Sequence, residues 1–224
     1  MASLVKRTEG NVLVVELTRA DKGNALNREL QQRLAETWQE FEDTENLRVA
    51  VLQGAANVFS IGHDVQELAS DESISPVPDN ELFPLQISKP VIAAIEGPCY
   101  GLGFELALSC DLRIAGEGSL FGLADPHLFV PYRLATVLLP RMTFVGKSLD
   151  LILSGRILSA ADMSEARLVS EVTAKGGADV AAIDAAHGMA KRFSSAQSFR
   201  KRNVWSLSGM PLPAAMSLAR TPRS

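Results

Sequence analysis

At 224 residues, 46% hydrophobic and 21% charged, with a net charge of −4, the chain has the makeup of one large globular α/β domain rather than a low-complexity or disulfide-stapled protein. No apolar run reaches the roughly 18 residues that a membrane span needs, and the first ten residues carry no apolar secretory segment. Cys99 and Cys110 both lie in apolar surroundings and read as buried, reduced thiols of a cytoplasmic protein, while His63, His127 and His187 are too scattered to suggest a metal site.

Residues 12–17 read as a strand, closed by the turn Thr18-Arg19-Ala20-Asp21-Lys22-Gly23. Asn24 or Asn27 can cap the helix that follows, where Leu30, Leu34, Trp38 and Phe41 recur at helical spacing. A β-branched strand at 48–52 stops at Gln53-Gly54. Residues 58–64 form a strand end and a turn, followed by a short helix at about 65–69. Residues 71–85, with several acids and three prolines, read as a surface loop. A buried strand at 90–96 then enters a glycine-punctuated turn and a helix at about 102–109. Strands are expected at 112–115 and 119–123, and helices at 134–139 and 147–154. Ser159-Ala160-Ala161-Asp162 is a capping-box pattern opening a helix to about 167. A strand at 168–173 and a helix at 178–193 follow, and 203–224 is expected to form short helices or to be disordered. From Lys191 onward there are seven basic residues and no acidic one, which suggests a phosphate-bearing ligand or an acidic partner, or simply a solvated basic face.

Strands alternating with helices imply a parallel sheet covered on both faces, with ligands at the carboxyl ends of the strands. Two such ends carry unusual turns, at 59–64 and 96–103. The second leaves backbone N–H groups unpaired at a helix N-terminus, beside the carboxylate of Glu105. Each turn could offer one N–H to a single oxygen, but spacing alone does not place them side by side, and either could be only a tight strand-to-helix connection.

Asn24-Ala25-Leu26-Asn27, Phe59-Ser60-Ile61-Gly62-His63-Asp64 and the run from Lys89 to Asp111, in this order, resemble the crotonase (enoyl-CoA hydratase/isomerase) superfamily. Gly146-Lys147-Ser148-Leu149 and the segment from Leu153 to Ala160 fit later parts of the same pattern. The resemblance covers about residues 10–175. It implies a crotonase (ClpP-like) spiral of ββα units over 1–175 and a C-terminal helical, oligomer-forming region over 176–224. It also implies an acyl-CoA thioester substrate and no cofactor beyond the coenzyme A of that substrate. A homotrimer or a dimer of trimers is the implied assembly, without a membrane or nucleic acid. The N–H groups of His63 and Leu102 match the pair that holds a thioester oxygen as it becomes an enolate. Lys22, Ala25, Ser60, Ile61, Gly62, Asp64 and Gly101 match positions that meet the CoA moiety, with Arg200, Lys201 or Arg202 as further phosphate contacts.

The function has four readings. Val130-Pro131-Tyr132, with the two turns, resembles a methylmalonyl-CoA decarboxylase, in which Tyr132 would orient the substrate carboxylate while the oxyanion hole takes the charge. Glu105 with Asp125 would instead serve a hydratase or isomerase, although aspartate is a methylene shorter than the glutamate of hydratases. His127 with Asp125 could form a hydrolytic acid–base pair or an inert loop pair. The fourth reading is a catalytically silent paralogue that binds RNA or a protein partner through the basic tail.

Overall fold

The computed structural model describes residues 3–70, 79–123 and 132–210. Its larger sheet has the order β1 (Leu4–Glu9), β2 (Val12–Leu17), β3 (Val49–Gly54), β4 (Val91–Ile95), β6 (Leu112–Gly116) and β9 (Glu171–Thr173). β1 and β2 form an antiparallel hairpin about Gly10, and every later pairing is parallel. A smaller sheet joins β5 (Pro98–Tyr100), β7 (Leu120–Gly122) and β8 (Leu158–Ser159). A bridge from Ser60 to Cys99 extends its edge, so the chain after β3, β4 and β6 in turn passes from the larger sheet to the smaller. This repeated strand–strand–helix step is the expected spiral.

The parallel strands are apolar on both faces because both are covered. One face presents Val12, Val14, Val49, Val51, Ile92, Ala94 and Ile114 to α8 (Ala178–Arg192). Ala178, Ala182, Ala186 and Ala190 lie at every fourth position of α8, and their small side chains let it rest close on the sheet. The other face packs against α1 (Arg28–Asp43) and α4 (Leu102–Ser109), and encloses Trp38, Phe41, Phe59, Phe104 and Phe121. Asn27, not Asn24, caps α1, its side chain accepting the Leu30 N–H at 3.0 Å. Asn24 has φ +52° and donates to the carbonyls of Ala55 and Val58 instead. The far end of α1 has no basic residue of its own. Lys89 supplies the charge from 45 residues or more along the chain, its ammonium donating to Phe41 O and Thr44 O at 2.7 Å each.

The remaining helices are α2 (Val65–Ser70), α3 (Asp79–Leu82), α5 (Arg133–Met142), α6 (Val145–Ser154), α7 (Ala160–Glu165) and α9 (Ser195–Leu207). The capping box of α7 forms as its sequence predicts. Three features depart from the sequence reading. β1 was not anticipated; it is an edge strand with an exposed middle, which exists by pairing with β2. Of the surface loop expected over 71–85, residues 71–78 lie outside the described residues, and the part from 79 on is helical and packed, with Leu82 and Phe83 buried against α1 and Trp38 Nε1 donating to Leu82 O at 2.9 Å. α9 starts at Ser195, where no element was expected, and takes in residues 203–207; residues 211–224 lie outside the described residues. Among the described residues, no helix is long and apolar enough to cross a membrane, and no group of three or more His, Cys, Asp or Glu could hold a metal ion.

Candidate active site

The two turns that the sequence could not place together do meet. The strand end at 59–60 runs alongside the start of β5: Phe59 N–H donates to Glu96 O (3.0 Å), Ser60 N–H to Pro98 O (3.1 Å) and Tyr100 N–H to Ser60 O (2.8 Å). This zipper carries Gly62 against the Gly101 turn. A Cβ on Gly62 would stand 3.0 Å from Tyr100 O and 3.3 Å from Leu102 N, and Gly62 has φ +101°, so glycine is required twice over. Gly103 has the same function one helical step on, because a Cβ there would stand 2.6 Å from Ser60 Cβ.

The peptide that joins Gly62 to His63 thus lies beside the N-terminus of α4. Its carbonyl accepts the Leu26 N–H at 2.7 Å. All described peptide bonds are trans, so the His63 N–H on the same peptide points away from Leu26. Leu102 is the first residue of α4, and its N–H is one of the helix's orphan donors. Neither the His63 N–H nor the Leu102 N–H has an acceptor among the described residues. Two adjacent backbone donors at a helix N-terminus, above the buried Leu102 (6% exposed) and Phe104, are an arrangement that could hold an anion at low dielectric. α4 is fixed at its other end by Arg113, whose guanidinium donates to the carbonyls of Ala107, Leu108 and Cys110, with the Cys110 bond at 2.7 Å.

The side chains around this pair divide by task. Glu105 is 4% exposed, and its Oε1 accepts the Ala135 N–H at 2.8 Å, tying the carboxylate to the first turn of α5. Tyr132 caps the start of α5 in sequence, and its ring lies over the turn, with Cε1 and the hydroxyl 3.7 and 3.8 Å from where a Cβ on Gly101 would be. Burial pushes the His63 imidazole below its ordinary value, which favours the neutral ring. Burial also raises the Tyr100 phenol, with Cys99 adding to the effect.

The residues expected to meet a CoA moiety fall into two groups. Lys22 and Ile61 are exposed at the outer lip, with Lys22 Nζ donating to Gln66 Oε1 at 3.1 Å. Ser60 and Ala25 are buried. The Ser60 hydroxyl donates to Asn24 O (2.9 Å) and accepts the Gly62 N–H (3.2 Å), so this side chain builds the turn instead of facing a ligand. Asp64 is engaged as well. Its Oδ2 pairs with Arg19 Nη2 at 2.8 Å, and its Oδ1 accepts the N–H groups of Gln66 and Glu67 at the start of α2. Burial pushes this carboxyl upward, but the Arg19 guanidinium and the two N–H groups outweigh it and hold it below the usual range.

Asp125, His127 and Phe129 lie outside the described residues. Lys201 is not near the turns. Its ammonium bonds Asp111 Oδ2 (2.7 Å) and Lys89 O (2.8 Å), and Trp205 Nε1 donates to Asp111 Oδ1 (3.1 Å). These contacts dock α9 at the amino-terminal ends of β4 and β6, whereas the turns follow the carboxyl ends, so Lys201 is removed from the set of phosphate contacts. Arg19 is the site residue that the sequence reading missed. In the sequence it is one residue of a turn, and its partners Ala25 and Asp64 lie 6 and 45 residues away.

The family model described as enoyl-CoA hydratase/isomerase matches residues 7–221. Among curated proteins, YngF of Bacillus subtilis, a putative enoyl-CoA hydratase/isomerase, is 37% identical over 172 residues, which span 73% of this chain and 66% of that protein. The 2,3-dehydroadipyl-CoA hydratase of Escherichia coli is 36% identical over 179 residues, covering 77% of this chain and 69% of that protein. Among solved structures, Pseudomonas aeruginosa PA4980 superposes with a TM-score of 0.90 at 26% identity, covering 98% of both chains. An enoyl-CoA hydratase subunit from Geobacillus kaustophilus gives 0.88 at 30% identity, covering 98% of this chain and 87% of that one.

Proposed function

This chain belongs to the enoyl-CoA hydratase/isomerase family of the crotonase superfamily, and from that premise we propose that it binds an acyl-CoA thioester and stabilises the enolate of that thioester between the N–H groups of His63 and Leu102. The observation that carries the reading is the contact of Gly62 with the Gly101 turn, which puts the two donors side by side. A thioester carbonyl gains negative charge when a nucleophile adds to C3 of an enoyl chain or a proton leaves C2. Donors already oriented toward that oxygen act without reorganisation, and losing one typically costs about 100- to 1000-fold in rate.

Hydration or isomerisation of an enoyl thioester is the reaction that the relatives' names favour. In it the Glu105 carboxylate, held in place by Ala135, moves the proton between substrate carbon and water. Asp125 is the candidate second carboxylate. A second reading, decarboxylation of a 2-carboxyacyl thioester, is favoured by one observation, the Tyr132 phenol over Gly101. There the electron pair of the breaking carbon–carboxylate bond passes into the enolate, CO₂ departs, and Tyr132 orients the carboxylate without neutralising it. The same proposal includes self-assembly as a homotrimer or a pair of trimers, which light scattering on the purified protein measures.

The test is a pair of assays on one preparation. Loss of the conjugated-enone absorbance of crotonyl-CoA reports hydration, and release of CO₂ from methylmalonyl-CoA reports decarboxylation. Tyr132→Phe should spare the first and depress the second. Turnover of neither compound, with no binding of either, overturns the proposal.

A further inference from the structure

Beyond its ion pair with Asp64, Arg19 is bound to the proposed oxyanion site through two peptide groups in series. Its Nη1 donates to the carbonyl of Ala25. The other end of the Ala25–Leu26 peptide, the Leu26 N–H, donates to Gly62 O at 2.7 Å. The other end of the Gly62–His63 peptide is the His63 N–H, the proposed oxyanion donor. A cation thus stands at the head of a hydrogen-bonded chain whose tail is the donor itself. Each peptide dipole in the chain has its positive N–H end turned away from Arg19 and toward the site.

The guanidinium is firmly held. Arg19 Nη2 pairs with Asp64 Oδ2 at 2.8 Å, with the two side chains 18% and 11% exposed. Asp64 in turn flanks His63 on its other side and accepts two N–H groups of α2. The backbone of Arg19 is also tied in, its carbonyl accepting the N–H groups of Lys22 (2.9 Å) and Asn24 (2.8 Å). His63 therefore sits between two residues that both answer to Arg19, one through the peptide chain and one through the ion pair.

We propose that Arg19 is a positioning residue that orients and polarises the His63 N–H through the Ala25–Leu26 and Gly62–His63 peptides, strengthening that half of the oxyanion hole. This deepens the proposed function and rests on it for its catalytic consequence. The Leu102 N–H lies at the tail of a separate chain, through the Gly101–Leu102 peptide and the bonds of α4 to Arg113, which does not pass through Arg19, and so serves as an internal control for Arg19 variants. Arg19→Gln keeps a donor and removes the charge. Arg19→Lys keeps the charge and loses the fork that reaches Ala25 and Asp64 together. Asp64→Asn breaks the ion pair and leaves the bond to Ala25.

The experiment reads the amide proton and nitrogen shifts of His63 and Leu102 in the intact protein, alongside kcat and KM on crotonyl-CoA and methylmalonyl-CoA. The relay predicts that Arg19→Gln moves the His63 amide proton upfield, leaves Leu102 in place, and lowers kcat about tenfold with little change in KM, because a donor is weakened rather than deleted. Arg19→Lys should shift His63 in the same direction by less, and Asp64→Asn least of all. If Arg19→Gln does not fold, Arg19→Lys decides. A His63 amide that moves no more than that of Leu102 in a folded Arg19 variant overturns the relay. Absence of turnover by the unaltered protein would count against the proposed function alone, since the amide shifts judge Arg19 without any substrate.

Discussion

Glu105 separates two roles in one side chain, and its two simplest replacements pull them apart. The carboxylate is 4% exposed and accepts the buried Ala135 N–H at 2.8 Å. Glu105→Ala strands that N–H at the start of α5. A charge-assisted bond of this kind contributes about 1.5–3 kcal/mol, and the orphaned donor together with the lost side-chain volume puts the expected loss of stability at about 3 kcal/mol. Glu105→Gln keeps an oxygen for Ala135 and loses the charge assistance of that bond, for a loss of about 1 kcal/mol. A carboxamide cannot shuttle a proton, however, so hydration of crotonyl-CoA by Glu105→Gln should fall about 100- to 10,000-fold. Urea denaturation monitored by circular dichroism measures the stability gap, and initial rates measured from enone absorbance give the kinetic one. A Glu105→Gln protein that hydrates within a few fold of the unaltered protein refutes proton transfer and leaves Glu105 as the anchor of α5.

Three further outcomes follow from the geometry. Gly62→Ala places a methyl group 3.0 Å from Tyr100 O and 3.3 Å from Leu102 N at φ +101°, so it should separate the two donors and lower kcat/KM by about 100-fold or more; retention of full rate would show that the donors are not used. Burial first, then Glu96 and Glu16, raise Asp179 from 3.8 to about 6. An acid raised on folding costs nothing below its unfolded value, and its cost grows from about pH 4 and is complete above pH 6. Asp179→Asn should therefore stabilise the protein by roughly 1 kcal/mol at pH 8, after allowance for solvent screening and the lost helix-dipole benefit, and by nothing at pH 3.5; equal effects at both pH values in denaturant titrations would contradict this. Burial pushes the Cys99 thiol far up and Cys110 to about 12, so neither should react with an aromatic disulfide reagent at pH 8 until the protein is unfolded.

What the sequence made legible was local. Asn27 with Leu30, Leu34, Trp38 and Phe41 specifies α1, because cap and apolar stripe lie within a few turns of one another. The strand, glycine turn and helix from Val91 to Ser109 were legible for the same reason, and α4 begins and ends at its expected residues. The family resemblance then assigned roles to His63 and Leu102 that no local pattern carries. What stayed hidden depends on partners distant in sequence. β1 is a strand only because β2 pairs with it. Leu82 and Phe83 are buried by α1, about 40 residues earlier. The approach of Gly62 to Leu102, on which the site depends, is set by hydrogen bonds from 59–60 to the start of β5. The position of Lys201 followed from Asp111, 90 residues away, rather than from the clustering of basic residues in the tail.

Lys89 has a consequence for the order in which the molecule assembles. The carbonyls of Phe41 and Thr44 at the end of α1 are satisfied by a lysine two residues before β4, so they have no such partner until the third strand of the parallel array is in place. Helix ends ordinarily fray, and their amides exchange with solvent through small local openings. Here the amides of 41–44 should exchange only when β4 leaves the sheet, at the slow rate of the core. In refolding, the end of α1 should gain protection together with β4 rather than with its own first turn.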